Sequence, residues 1–90
     1  MERQLLRIDA KDNVAVALRD IPAGALLEAP GGGEMKAAGD IPYGHKVALI
    51  DIAEGDPVIK YGETIGQASR EIVRGEWVHA HNMGAVEVNG

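Results

Sequence analysis

Asp40-Ile41-Pro42-Tyr43-Gly44-His45-Lys46-Val47 is the stretch from which the fold of this chain can be read. Its pattern is an acidic residue, Ile, two variable residues, Gly, two variable residues and an aliphatic residue. The phrase occurs three more times, beginning at Asp20, Asp51 and Glu71. Those copies run Asp20-Ile21-Pro22-Ala23-Gly24-Ala25-Leu26-Leu27, Asp51-Ile52-Ala53-Glu54-Gly55-Asp56-Pro57-Val58 and Glu71-Ile72-Val73-Arg74-Gly75-Glu76-Trp77-Val78. Each describes one physical event. A strand ends at the Ile and the two central residues turn. Gly takes a backbone angle that side chains resist, and a new strand starts at the aliphatic residue.

The copies begin 20, 11 and 20 positions apart, so a shift of 31 lays the first on the third and the second on the fourth. The same shift pairs Gly31 with Gly62 and Ala37 with Ala68. The chain reads as two tandem halves packed about a pseudo-two-fold axis. Two units are too few for a solenoid.

Ninety residues make one small domain, 1–90, with its core over about 13–82. There is no Cys, hence neither a disulfide nor a thiolate ligand. With no Phe, one Trp and two Tyr, the core must be aliphatic. Such a core gains by burying more surface against a partner, another copy of itself included. A net charge of −5 gives no basic footprint for nucleic acid or an anionic membrane. The longest apolar runs, such as Val47–Ile50, are far too short to span a bilayer. Met1 to Leu6 has no apolar core of signal-peptide length, so a cytoplasmic protein is expected.

Alternation and turn residues predict strands over 5–9, 14–18, 47–50 and 58–61 and a last one from Trp77 to Asn82. Val14 to Leu18, apolar on both faces, suits a strand covered on both sides. Residues 28–33 form a loop tip or mobile flap around Gly31, Gly32 and Gly33. A phosphate cradle there would need a following helix, which Met35–Gly39 is too short to form. Thr64–Ser69 reads as a single helical turn, and Met83 to Gly90 as a linker. The expectation is a mainly β chain of short strands and tight turns, with at most one or two helical turns.

The three histidines are the residues with chemistry to offer. His79 and His81 stand two apart, so on a strand both face one side. Two neighbouring imidazoles suit one first-row metal ion or a carboxylate substrate. His45 lies at the turn of the second phrase and overlays Glu76 in the 31-residue shift. Lys60 is a carboxylate-binding candidate beside Tyr61, a hydrogen-bond donor, although an exposed Lys and a half-buried Tyr fit equally. Trp77 reads as core or interface. The acids that open each phrase read as acceptors for turn N–H groups.

Ile41-Pro42-x-Gly44-His45-Lys46-Val47-Ala48-Leu49, Val58-Ile59-Lys60-Tyr61-Gly62, Ile65-Gly66-x-Ala68 and Val78-His79-x-His81-Asn82 occur in that order. Together they resemble the SAF domain of the altronate and galactarate dehydratase family, over about 13–82. The same domain is similar to the small subunit of sulfolactate sulfo-lyase. The resemblance implies a β-clip fold and a hydro-lyase that removes water from a sugar acid. It implies Fe²⁺ or a similar divalent ion, shared with a separate large catalytic subunit. It carries His45, His79, His81 and Asn82 over as active-site contributors without fixing their roles; the expectation is that His45, His79 and His81 are catalytic, with His79 and His81 binding a metal or a carboxylate. Asn82, Lys60 and Lys46 follow as substrate contacts. The isolated chain is then expected to be inactive. Two alternatives remain at this stage: a sulfo-lyase small subunit, and a non-catalytic SAF-type binding or assembly module. The Gly-rich connection over 29–34 departs most from the family pattern.

Overall fold

The computed structural model describes residues 3–86. Met1, Glu2 and residues 87–90, the last part of the expected linker, lie outside them. Nine short strands follow in order: β1 (Leu5–Leu6), β2 (Val14–Ala17), β3 (Leu26–Glu28), β4 (Glu34–Lys36), β5 (Lys46–Ala48), β6 (Pro57–Lys60), β7 (Glu63–Ala68), β8 (Trp77–Val78) and β9 (Met83–Gly84). Every ladder is antiparallel. They form a four-stranded sheet in the order β1-β2-β5-β8, a β3-β4 hairpin and a β6-β7-β9 sheet. No helix occurs among the described residues.

The repeated phrase acts as expected, with one refinement. Its isoleucines end no long strand. They pair with each other, Ile21 with Ile41 and Ile52 with Ile72, as single bridges. All four are buried, each adding about 1.5–3 kcal/mol of transfer free energy. The phrase glycines take φ of 80 to 90°, a region closed to most side chains. Three of the opening acids, Asp20, Asp40 and Asp51, reach across to the partner phrase instead of to their own turn. Tyr43 N–H donates to Asp20 Oδ1 (2.8 Å), Ala23 N–H to Asp40 Oδ1 (2.8 Å) and Arg74 N–H to Asp51 Oδ1 (2.8 Å). Two turns per half are thus clasped together.

The 31-residue offset is visible in individual bonds. Gly24 N–H donates to Ala37 O and Gly55 N–H to Ala68 O; Gly44 N–H donates to Ala17 O and Gly75 N–H to Ala48 O. Leu26 faces Lys36 as Pro57 faces Gln67. The central sheet goes further. β2 pairs β5 through Ala15↔Val47 and Val16↔Lys46, and β5 pairs β8 through Lys46↔Val78 and Val47↔Trp77. Adding 31 to the first ladder gives the second. The β2–β5 ladder also maps onto itself when the halves are exchanged, the signature of a local two-fold axis between them.

Two aliphatic cores flank this sheet. The first gathers Ala15, Ala17, Ile21, Leu27, Met35, Ile41 and Val47. The second gathers Val14, Ala48, Ile52, Val58, Ala68, Ile72 and Val78. Neighbours on β2, β5 and β8 go to opposite cores because successive side chains leave a strand on opposite faces. The expected strand over 14–18, covered on both sides, is met over Val14–Ala17, while Leu18 lies beyond the strand and is exposed.

Two local expectations change, and for 28–33 the loop-tip reading holds. Residues 64–68 lie within β7, paired to β6 across a bulge at Val58/Ile59, and make no helical turn. A strand partner on each side decides the matter over weak local helix propensity. The 28–33 segment is the closed tip of the β3–β4 hairpin, with Ala29 N–H donating to Gly33 O and Gly32 N–H to Ala29 O. Met83 and Gly84, read as linker, pair with Ala68 and Gln67 as β9.

Candidate functional site

The strand expected from Trp77 to Asn82 stops at Val78. Asn82 ends it. Its Oδ1 accepts His79 N–H (2.9 Å), while its Nδ2 donates to Trp77 O (2.8 Å) and Glu76 Oε2 (3.1 Å). Asn82 N–H and Met83 N–H both donate to His79 O. A turn closes over 79–82, so His79 and His81 are not strand neighbours on one face.

They are brought together by Trp77 instead. The His79 ring stacks on the indole at 5.5 Å and 11°, and His81 lies against it at 4.8 Å and 48°. His45, just before β5, faces this turn because its strand pairs β8. Its ring is 4.9 Å from His79 and 5.6 Å from Trp77. Trp77 Nε1–H donates to His45 Nδ1 (3.1 Å). An imidazole that accepts at Nδ1 carries its proton on Nε2, so His45 offers an N–H donor outward. His79 and His81 are exposed and His45 and Trp77 half-buried. The result is a crown of three imidazoles around one indole at the sheet's edge.

Asn82 does not share that exposure. It is fully buried, and its amide is taken up by the turn and by Glu76. The amide expected to touch substrate is spent here on holding the His79 backbone. Glu76 Oε1 also accepts Val73 N–H (3.1 Å), tying the turn to the last phrase.

Lys46 and Lys60 stand elsewhere. Lys46 alternates with Val47 along β5 and so leaves the sheet on the side of Ala48 and the second core, where Lys60 lies on β6. Burial first, then the charge of Lys60, pull the Lys46 ammonium below its ordinary value, with Tyr61 opposing. Lys60 Nζ sits 4.7 Å over the Tyr61 ring. Contrary to the sequence reading, Lys60 is the half-buried member of the pair and Tyr61 the exposed one. Tyr61 has φ of 60°, a left-handed conformation that needs support. Asp12 supplies it: Gly62 N–H donates to Oδ1 (2.8 Å), and Tyr61 N–H (3.2 Å) and Asp9 N–H (2.9 Å) donate to Oδ2. Burial would raise this carboxyl's pKa, but the N–H donors outweigh it and hold it below the usual carboxylate value.

Among the described residues no three His, Asp or Glu side chains converge as a metal site. His45 Nδ1 is bound to Trp77, whereas His79 and His81 are exposed. A complete divalent-metal shell does not fit these residues alone.

Sequence reasoning missed Trp77 as the hub and Asp12 as a clamp. Trp77 stands two positions before His79, a spacing that was available as a signal. Nothing local separates Asp12 from an ordinary turn aspartate.

These features define a small β domain that shows its polar chemistry outward instead of enclosing it. The chain belongs to the altronate/galactarate dehydratase SAF domain family, whose description matches residues 3–85. It is 45% identical over 80 residues to the altronate dehydratase of Bacillus subtilis (strain 168), covering 89% of this chain and 16% of that protein. To the galactarate dehydratase (L-threo-forming) of Escherichia coli (strain K12) it is 42% identical over 73 residues, 81% of this chain and 14% of that protein. To the (2R)-sulfolactate sulfo-lyase subunit alpha of Paracoccus pantotrophus it is 50% identical over 48 residues, 53% of this chain and 72% of that subunit. The chain thus spans only about a sixth of the dehydratases it matches. The strand-only architecture is that of the SAF β-clip. No helix among the described residues is long and apolar enough to cross a membrane.

Proposed function

We propose that this chain serves as the small subunit of a sugar-acid dehydratase, an altronate dehydratase-like hydro-lyase whose active site is completed by a separate large subunit. The observation that carries this reading is the crown of half-buried His45 with exposed His79 and His81 on a domain of the dehydratase family. Dehydration of a sugar acid removes the proton α to a carboxylate and expels the β-hydroxyl. It needs a base, an acid and positive charge near the carboxylate. Exposed imidazoles at an open edge fit proton transfer at a surface that another subunit covers. His45, held by Trp77 with Nε2–H outward, suits a donor to substrate oxygen. A divalent ion such as Fe²⁺ would polarise the carboxylate. His79 and His81 are the ligands this side would lend to it, the rest coming from the large subunit.

A subunit arrangement is supported by the sulfolactate sulfo-lyase alpha subunits, which are themselves named as subunits and of which this chain matches 46% and 72% of the length. The same relatives support sulfolactate cleavage as a second reading, with bisulfite as the leaving group. On either reading, the chain alone is inactive and works with its partner in the cytoplasm.

Purified chain should be mixed with the large dehydratase subunit and assayed on altronate, galactarate and sulfolactate. Sugar-acid turnover should appear only in the mixture, and His79→Ala should lower kcat at least about tenfold, the usual minimum for a lost acid–base group. Unchanged turnover in His79→Ala, with the complex still formed, would remove the histidines from the reaction. Turnover of sulfolactate alone would select the second reading.

A further inference from the structure

We infer that the cleft between β1 and the tip of the β3–β4 hairpin is a binding site for a small polyhydroxy carboxylate. Its volume is about 410 Å³, within the range of roughly 300–1,000 Å³ typical of small-ligand pockets. Arg3 and Arg7 line one side, and Pro30, Gly31 and Gly32 the other. Residues 3, 5 and 7 share a face on an extended chain, so both arginines flank Leu5, which is buried in the first core. Neither guanidinium has an ion pair or hydrogen bond among the described residues. Two positive charges against the single negative charge of Glu28 leave the concavity net positive, which raises the local concentration of anions. The guanidinium fork matches a carboxylate through two parallel N–H···O bonds. Glu28, also on the lining, is an acceptor only, suited to hydroxyl donors and unfavourable to a bare phosphate.

The glycine run belongs to this arrangement. Gly31, Gly32 and Gly33 have φ of 92°, 112° and 83°, so side chains are disfavoured at all three. A Cβ at Gly31 would stand 3.7 Å from Arg7 Nη2. The anion chemistry therefore comes from arginines on a neighbouring strand and needs no helix after the glycines. β1 and β8 are opposite edges of the four-stranded sheet, so this cleft and the imidazole crown are separate places on the chain.

The test is a ¹⁵N titration of the full chain with galactarate, using inorganic phosphate and a neutral hexitol as comparison arms. Galactarate should give saturable shifts at the Gly31–Gly33 amides and the Arg3 and Arg7 Nε–H signals. Arg3→Gln and Arg7→Gln should each weaken binding by about tenfold, the loss of one charge-assisted contact, while the core signals of the unliganded protein stay in place. Glu28→Gln should weaken galactarate and strengthen phosphate. No saturable shift at millimolar galactarate, an equal response to the hexitol, equal affinity for phosphate, or full binding by the doubly substituted protein would each overturn the assignment. The outcome is independent of the His79→Ala assay, so either reading can fail while the other holds.

Discussion

Asp12 is the residue whose loss the fold should feel most sharply for its size. It is 5% exposed and accepts three backbone N–H groups, two of them from the strained Tyr61–Gly62 turn. Asn13 repeats the service next door, taking Ile59 N–H on Oδ1 (2.8 Å) and donating Nδ2 to Pro57 O (2.9 Å). Because the folded Asp12 carboxyl titrates below its unfolded value of about 3.9, its stabilisation is complete above that pH. It is lost as the pH falls through the folded value. Asp12→Asn should cost about 1–3 kcal/mol at neutral pH, the penalty for stranding buried donors, and should flatten the fall in stability below pH 4. Urea unfolding across a pH series measures both; an acid limb as steep as in the parent would take Asp12 out of this role. At the crown, residue types were legible in advance and their arrangement was not. Spacing put His79 and His81 on one strand face, but a single buried amide at Asn82 ends the strand and re-aims both rings.

At the scale of elements, the four phrases were readable because their glycines and isoleucines do local, repeated work. The elements that escaped notice have no such markers. β7 looks helical by its Thr64 start and β9 looks like a tail; pairing makes them strands, β7 in a tight hairpin with the adjacent β6 and β9 against the end of β7. Gly75 shows how tightly the phrases are set. It has φ of 90°, and a Cβ built there would collide with the carbonyl oxygen of Lys36. Gly75→Ala should cost about 2–5 kcal/mol, combining left-handed strain with overpacking against backbone. Gly55, at the matching position of the third phrase, has φ of 88° and open space where a Cβ would go. Gly55→Ala should therefore cost only the strain, about 1–2 kcal/mol. Thermal melts of the two variants side by side decide it; equal losses would mean that the contact with the Lys36 carbonyl has no effect.

Across the whole molecule, two small cores lean on one thin sheet whose strands feed both. Neither core is large, so each draws its stability from strands it shares with the other. Leu27→Ala in the first core should cost about 2–5 kcal/mol and should also lower amide protection at Val58 and Ala68 in the second. Native-state hydrogen exchange reads this directly, and protection lost only around Leu27 would mean the halves open separately. The 31-residue shift was visible in sequence, but its continuation into β8 was not. The third unit keeps the backbone register while replacing nearly every side chain.

That continuation explains why the crown is on the outside at all. Counting forward by 31, His79 occupies the place held by Ala17 and then Ala48, both of them sealed in the interior. Asn82 likewise inherits the place of Asp20 and Asp51, the clasping acids. Ala17 and Ala48 are covered because another strand follows in the sheet, and after β8 none of the described strands does. The repeat stops one rung short, and a position built for a methyl group faces solvent, open to a side chain that does chemistry.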